Sequence, residues 1–244
     1  SAVIRQFEQL GVYVLNTSRS IEMAKDKLET VQTLAVNNLP IPNTILAKFP
    51  LDLDLIDQQF SYPVIMKKIS GSEGKGIVMC ENRAQLEDIA DMVKGSRNVI
   101  IQECINDSLG RDIRVFVVGG RVIGSMLRIA NPNTFKANYS AGGSVSKFET
   151  TPEIEWLALE SSRLMGLDIA GVDLLFDEEG FRICEVNSAP YFGGFEEATN
   201  IDVPHEIFDF IRVRHEGTLN SISPTHHEQV TIHPQLTYLQ TLRG

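Results

Sequence analysis

Two carboxylates and an amide, Asp173, Glu185 and Asn187, stand in the run AGVDLLFDEEGFRICEVN, on either side of an acidic, glycine-containing turn. Taking residues 178–180 as a three-residue loop with Gly180 in the left-handed position predicts a hairpin with Asp173 opposite Glu185 and Gly171 opposite Asn187. Alternation then puts Asp173, Glu185 and Asn187 on one face. Val172, Leu174, Phe176, Cys184 and Val186 fall on the other, apolar face. Two carboxylates facing each other repel unless a cation lies between them. A set of oxygen donors without His or Cys suits a hard ion such as Mg²⁺, which takes few carboxylates and completes its shell with phosphate and water. The plainer alternative is a half-exposed strand with solvated acids. The apolar residues around the pair favour the metal.

Phosphate chemistry has a second candidate in SGSEGKGI, residues 70–77. It is not a Walker A loop, because Gly76 rather than Ser or Thr follows Lys75, and it joins two strand-like runs. A β-turn-β loop of this kind can offer backbone N–H groups to phosphates, with Lys67 on the preceding strand aimed at the same anion. An ordinary glycine hairpin explains the turn equally well; its weight comes from the acidic hairpin, since phosphates and Mg²⁺ need each other. A third hairpin, DIRVFVVGGRVIGSMLRIA, carries Asp112, Arg114 and Arg128 around Gly119-Gly120. A two-residue loop puts the two arginines on opposite faces. A three-residue loop including Arg121 puts Asp112 opposite Arg128, with Arg114 on their face, and the sequence leaves the register open. Each arginine is either a solvated strand residue, a partner of Asp112, or a group that neutralises a transferring phosphoryl or grips a carboxylate.

The elements that must position these residues give an α+β class with mixed or antiparallel sheets. GVYVLN (11–16) reads as a short strand and residues 20–38 as one amphipathic helix, stopped by Pro40 and Pro42. Strands PVIMKKI and GIVMC, a helix over 82–94 and strand NVIIQEC follow. A polar loop (131–144) precedes a helix over 152–166, and another helix lies near 204–214. The tail, 215–244, is polar and His-rich without clear periodicity, which reads as a partner-dependent or disordered extension. With 244 residues the chain can bury a substantial core. A net charge of −10 argues against nucleic acid or an anionic membrane surface as partner. Cys80, Cys104 and Cys184 lack metal-ligand spacing and read as reduced thiols of a cytoplasmic protein. No apolar run approaches the ~18–20 residues of a membrane span.

With these residues in view, the chain resembles the RimK-type α-L-glutamate ligases of the ATP-grasp superfamily, from about residue 10 to residue 212. The likeness rests on MAKDKLETVQTLAVNNLPIPNT, PVIMKKISGSEGKGI, NVIIQECI, DIRVFVVGGRVIGSMLR, FKANYSAGG and AGVDLLF with ICEVNSAP. VGGRV and MLR look closer to the N-acetylaspartylglutamate and β-citrylglutamate synthase-like members than to bacterial ones. The resemblance implies two α+β lobes clamping ATP: residues 21–103 as the small lobe and central part, and residues 104–214 as the large lobe with the Mg²⁺ site. Residues 1–20 would be the remnant of an N-terminal α/β domain that is otherwise missing or reduced.

By the same resemblance, Lys67 contacts ATP phosphates and Lys27 does so from the first helix. Glu103 and Cys104 hold adenine largely through backbone groups, and Asp112 binds ribose. Lys136 and Asn138 reach the nucleotide. Asp173, Glu185 and Asn187 hold magnesium, two ions with Mn²⁺ able to substitute, and Arg128 stabilises the acyl phosphate and tetrahedral intermediate with Arg114 as helper. Where bacterial members carry a basic residue, Ala141 precedes Gly142-Gly143, so the acceptor need not be theirs. The implied activity is amide formation between an amino acid, glutamate first, and a small acid or a peptide or protein C-terminus, in a protein that could be a homo-oligomer. Alternatives are a synapsin-like ATP-binding regulatory module and an inactive fragment.

Overall fold

The computed structural model describes residues 1–69, 76–93, 98–131 and 142–221, with side chains through Arg214. Helices are α1 (Ala2–Gln9), α2 (Ser18–Lys25), α3 (Lys27–Val36), α4 (Leu53–Gln59), α5 (Arg83–Met92), α6 (Pro152–Leu164), α7 (Gly193–Thr199) and α8 (Val203–Ser221). Strands are β1 (Thr44–Lys48), β2 (Val64–Lys68), β3 (Ile77–Cys80), β4 (Asn98–Glu103), β5 (Arg111–Val118), β6 (Arg121–Ile129), β7 (Ser144–Phe148), β8 (Ile169–Asp177) and β9 (Gly180–Asn187). They form two sheets, ordered β1-β4-β2-β3 and β7-β6-β5-β8-β9. Each described strand pair is antiparallel, one of the two alternatives, mixed or antiparallel, that the sequence allowed.

Local chemistry sets the helix starts. Thr17, Asp26, Asp52, Asn82 and Thr151 each accept a backbone N–H of the first turn, and Pro152 occupies the first position of α6, where its missing N–H costs nothing. Asp26 also corrects the expected single helix over 20–38. Its backbone is extended and its side chain caps Leu28 N and Glu29 N, so one helix ends and another begins there. The strand expected at 11–16 is absent: the segment finds no partner strand, and Asn16 is buried instead. α8 runs to Ser221, into the segment read as a tail.

Three apolar clusters hold the layers. The face of the five-stranded sheet carrying Ile113, Val115, Val117, Val172 and Leu174 packs on α6 through Ile154, Leu157 and Ala158. Its opposite face is apolar only at one end, where Phe116 and Met126 meet Phe195 and Val203, the two phenyl centroids 4.8 Å apart. The four-stranded sheet packs Val64, Met66, Val99 and Ile101 against Ile56, Leu86 and Ala90 of α4 and α5. Each of the larger of these side chains stabilises by roughly 1.5–3 kcal/mol when fully buried. Packing divides the chain after Phe208. Beyond that point Asp209 Oδ1 accepts from Arg212 Nη2 at 3.0 Å, one turn on.

Candidate active site

The end of the five-stranded sheet left uncovered by the Phe116 cluster is polar, and two bulged hairpins build it. At Gly119-Gly120, with φ of 60° and 74°, the β5–β6 turn has two residues, since Val118 pairs with Arg121. Both central positions need positive φ, which glycine adopts without strain. The register then shifts by one between Phe116 and Val117, leaving Ile123 as the extra residue, and from there Asp112 faces Arg128. A two-residue turn plus a bulge thus gives the pairing that the sequence offered only for a three-residue loop.

The second hairpin repeats the device. Asp177 pairs with Gly180, so the loop is Glu178-Glu179 rather than 178–180, and Gly180 sits in the strand at φ 132°. A shift between Asp173 and Leu174 makes Cys184 the extra residue. Beyond it Asp173 faces Glu185 and Gly171 faces Asn187, as expected. The bulge lets Phe181, Ile183 and Val186 all meet the core. Cys184 therefore leaves the apolar face assigned to it. Burial pushes its thiol up, and the charges acting on it are those of Lys67, Glu185, Asp173 and Asp112.

Across four strands the side chains form one charged array. Arg114 Nε and Nη2 donate to Asp173 Oδ1 and Oδ2, both at 2.7 Å. Arg128 Nε and Nη2 grip Asp112 at 2.6 Å each, and Arg128 Nη2 also lies 2.9 Å from Asp173 Oδ2. Asn187 Nδ2 is 3.3 Å from both Asp173 Oδ2 and the Gly171 carbonyl. Arg128 and Asp173 are 5% and 4% exposed, deep enough that the pairing decides whether the charges are tolerated. Burial alone would raise the Asp173 carboxyl, but the guanidiniums of Arg114 and then Arg128 outweigh it and hold it below the usual carboxylate range. Asp112 goes the other way: burial pushes it up to about 6, against the pull of Arg128. Burial disfavours the Arg128 cation, yet Asp173 and Asp112 more than offset this and its pKa is raised.

Cationic groups reach the same face from the rest of the chain. Lys27 Nζ at the head of α3 lies 3.3 Å from Glu185 Oε1, while Lys27 N donates to the Ile69 carbonyl where β2 ends. Lys67 on β2 is 8% exposed and donates to Gln102 Oε1 at 2.5 Å, a neutral partner. Gln102 in turn donates to Thr44 Oγ1 at 2.8 Å. The Lys67 cation also acts on the Cys104 thiol, opposing the rise that burial gives it. Gly171 shapes the edge of the site: a Cβ there would lie 2.6 Å from Pro190 Cβ, so its absence lets the chain after Asn187 pack down.

Lys27, Asp112, Arg114, Arg128, Asp173, Glu185 and Asn187 are thus joined by contacts or strand pairing, while Lys67 meets them at Cys184, on which its charge and those of Glu185, Asp173 and Asp112 act. Lys136, Asn138, Ala141 and nearly all of SGSEGKGI lie outside the described residues. Glu103 ends β4, its carboxylate turned to Asn43 N and Nδ2 (2.7 and 2.9 Å) and Arg182 Nη1 (2.8 Å) and its own N–H to the Asn43 carbonyl (3.0 Å). Sequence reasoning missed Arg182, Asn43, Gln102 and Asn16. The one available signal concerned the bulge: Phe181 and Ile183 are apolar yet share the alternation of Glu185 and Asn187, so a residue between them must be extra.

Among the described residues no three His, Cys, Asp or Glu side chains cluster to hold a metal, so the candidate donors are two carboxylates and one amide. Protein cations gather on both carboxylates, Arg114 and Arg128 at Asp173 and Lys27 at Glu185. The face therefore demands positive charge, and its oxygens fit Mg²⁺ completed by phosphate and water.

Comparison with known proteins agrees with this geometry. Residues 24–211 match the family model of the RimK-like ATP-grasp domain. A probable alpha-L-glutamate ligase 2 of Shewanella baltica is 41% identical over 213 residues, covering 86% of this chain and 71% of the relative. A probable alpha-L-glutamate ligase 1 of Shewanella frigidimarina is 40% identical over 220 residues, 89% and 73% of the two chains. Among solved structures, D-alanine–D-alanine ligase of Bacillus anthracis complexed with ATP superposes with a TM-score of 0.70 at 19% identity, over 89% of this chain and 76% of that one. The ATP-grasp ligase PsnB complexed with a minimal precursor gives 0.69 at 21%, over 88% and 67%. At these identities the structures speak for the fold, two sheets in an ATP-grasp arrangement. The sequence relatives and the family model, spanning most of the chain, go further: the chain belongs to the RimK-like ATP-grasp family and is an ADP-forming ligase.

Proposed function

We propose that the chain forms an amide between the amine of an amino acid, glutamate first, and a carboxylate acceptor, through an acyl phosphate. The observation that carries this reading is the Arg128–Asp112–Asp173–Arg114 array facing Lys27 and Glu185. It brings cations and candidate metal donors to one water-poor face, as phosphoryl and acyl transfer require. The amine follows the relatives named alpha-L-glutamate ligase. The acceptor is a small acid or a peptide or protein C-terminus, the latter class supported by the peptide-complexed ligase of similar fold.

An acceptor carboxylate oxygen would attack the γ-phosphorus of ATP, releasing ADP. The amine would then attack the acyl carbon, releasing phosphate and a proton. Asp173, Glu185 and Asn187 would hold Mg²⁺, which supplies charge neutralisation on the phosphates when bound. Lys67 and Lys27 would bind phosphate oxygens, Lys27 leaving Glu185 to do so. Asp112 has lone pairs beyond the two that Arg128 uses, and these suit a ribose hydroxyl. Arg128 and Arg114 are fixed by their carboxylates before substrate arrives, so they would stabilise a developing oxyanion without reorganising. In this assignment residues 21–103 and 104–214 are the two lobes.

Incubation with Mg-ATP and pools of amino acids, small acids and short peptides, read by product mass and coupled ADP release, tests the reading. A product heavier by an amino-acid residue, with one ADP per bond, is expected. ATP turnover with no new amide, or a product retaining AMP, would overturn it.

A further inference from the structure

The stretch 37–43, between α3 and β1, is stitched to both sheets. On the side of the five-stranded sheet, Ile183 N donates to the Pro40 carbonyl at 2.8 Å. On the side of the four-stranded sheet, Glu103 N donates to the Asn43 carbonyl at 3.0 Å, and both Glu103 carboxylate oxygens accept from Asn43. Arg182 closes the figure. From β9 its Nε holds Asp177 Oδ2 at 2.6 Å and its Nη1 holds Glu103 Oε1 at 2.8 Å, with the Ile41 carbonyl 3.5 Å away. One planar guanidinium thus ties the last residue of β4 to the edge strand of the other sheet.

Stability is a poor account of this contact. The side chains of Arg182, Glu103 and Asp177 are 30%, 25% and 20% exposed, a setting in which ion pairs add little to folding. What a forked guanidinium supplies is direction: two carboxylates from two sheets are held in fixed relation by bonds that Lys cannot reproduce together. The position of the strut also matters. Arg182 is three residues from Glu185 on the same strand, and Glu103 is where the backbone would meet adenine.

We propose that Arg182 is a positioning residue for the nucleotide. It fixes the β4 end at Glu103 against β9, and so sets the span between the adenine-holding backbone and the Asp173–Glu185–Asn187 face. The proposal rests on the nucleotide reading of Glu103 and of that face. A nucleotide must touch both ends of this span at once, so a loose joint costs affinity even when each end is intact.

Calorimetric titration with MgADP, paired with thermal unfolding without ligand, tests it on the full chain. Arg182→Met should weaken MgADP binding by about ten-fold while leaving the ligand-free melting temperature close to wild type. Arg182→Lys should recover part of the loss. Glu103→Gln should weaken binding in the same direction, and the double variant should be no worse than the weaker-binding single one, because both remove one strut. Wild-type affinity in Arg182→Met would overturn the proposal, as would additive losses in the double variant or a loss that only tracks a fallen melting temperature. Failure of the wild-type protein to bind MgADP would instead sink the nucleotide reading, and the proposal with it.

Discussion

Arg128 holds Asp112 with both ends of its fork and touches Asp173 with one, so its removal strands Asp112 and leaves Asp173 to Arg114 alone. Arg128→Ala should therefore destabilise the fold by about 3–5 kcal/mol, measured by urea unfolding, in addition to any loss of activity. Arg128→Lys keeps the charge and loses the fork; it should stay folded with ADP release reduced by at least ~100-fold at saturating substrates. Glu185 is different, being half-buried and paired at the site's rim with Lys27. Glu185→Gln should retain the melting temperature within a few degrees yet abolish ADP release, and undiminished turnover would remove it from the metal set. Asp112 gives a pH signature. Its folded pKa of about 6 lies above the ~3.9 of an unfolded Asp, so the folded state binds the extra proton between these values. Stability from this group is gained as pH falls from about 6 towards 4 and is lost as pH rises. Asp112→Asn should flatten the decline in unfolding free energy between about pH 4 and 6 relative to wild type; an unchanged slope would refute the raised carboxyl.

Both functional hairpins were legible as hairpins because β-branched runs flank glycine turns, and Asp173 opposite Glu185 followed from counting. The bulge at Ile123 was not legible, since one extra residue leaves no mark in composition, and that at Cys184 left only the alternation of Phe181 and Ile183, which was not used. The pairing came out right at Glu185 because a loop one residue too long cancels a missed bulge; the facing of Cys184 then came out wrong. α7 was missed because GGFEEAT opens on two poor helix formers, and β1 because its short run lies between prolines and pairs on one side only. Residues 11–16 have a strand's composition but no neighbour to pair with. Gly171 tests the element geometry. Gly171→Ala pushes a Cβ against Pro190, next to the chain carrying Asn187. It should raise the Mg²⁺ concentration for half-maximal ADP release several-fold, at a stability cost of roughly 1–3 kcal/mol. A Mg²⁺ titration identical to wild type would show the crowding to be absorbed elsewhere.

The molecule presents Lys67 from one sheet, Lys27 from α3, and acids and arginines from the other sheet, so a magnesium nucleotide should stabilise the fold. At about 100 times its dissociation constant MgADP would add roughly 2.7 kcal/mol, or a rise of roughly 5–10 °C in melting temperature, and ADP with chelator should give much less. Equal shifts with and without Mg²⁺ would count against the Asp173–Glu185–Asn187 set. Fold class and the order of motifs could be read from the sequence because they depend on local pattern; the joint at Arg182, Asn43 and Glu103 could not, because it links residues 60 and more positions apart. Asn16 is another such link. Its side chain donates to the carbonyls of Ile169 (2.7 Å) and Ser188 (2.8 Å) and accepts from Ile169 N (2.9 Å), one residue beyond Asn187. The segment ahead of α2 is therefore a plug as well as a lead-in. Any shortened version used for screening or crystallisation should begin upstream of Asn16, because trimming past it would take the partner from three part-buried backbone groups, one of them directly after the proposed metal donor Asn187 at the end of β9.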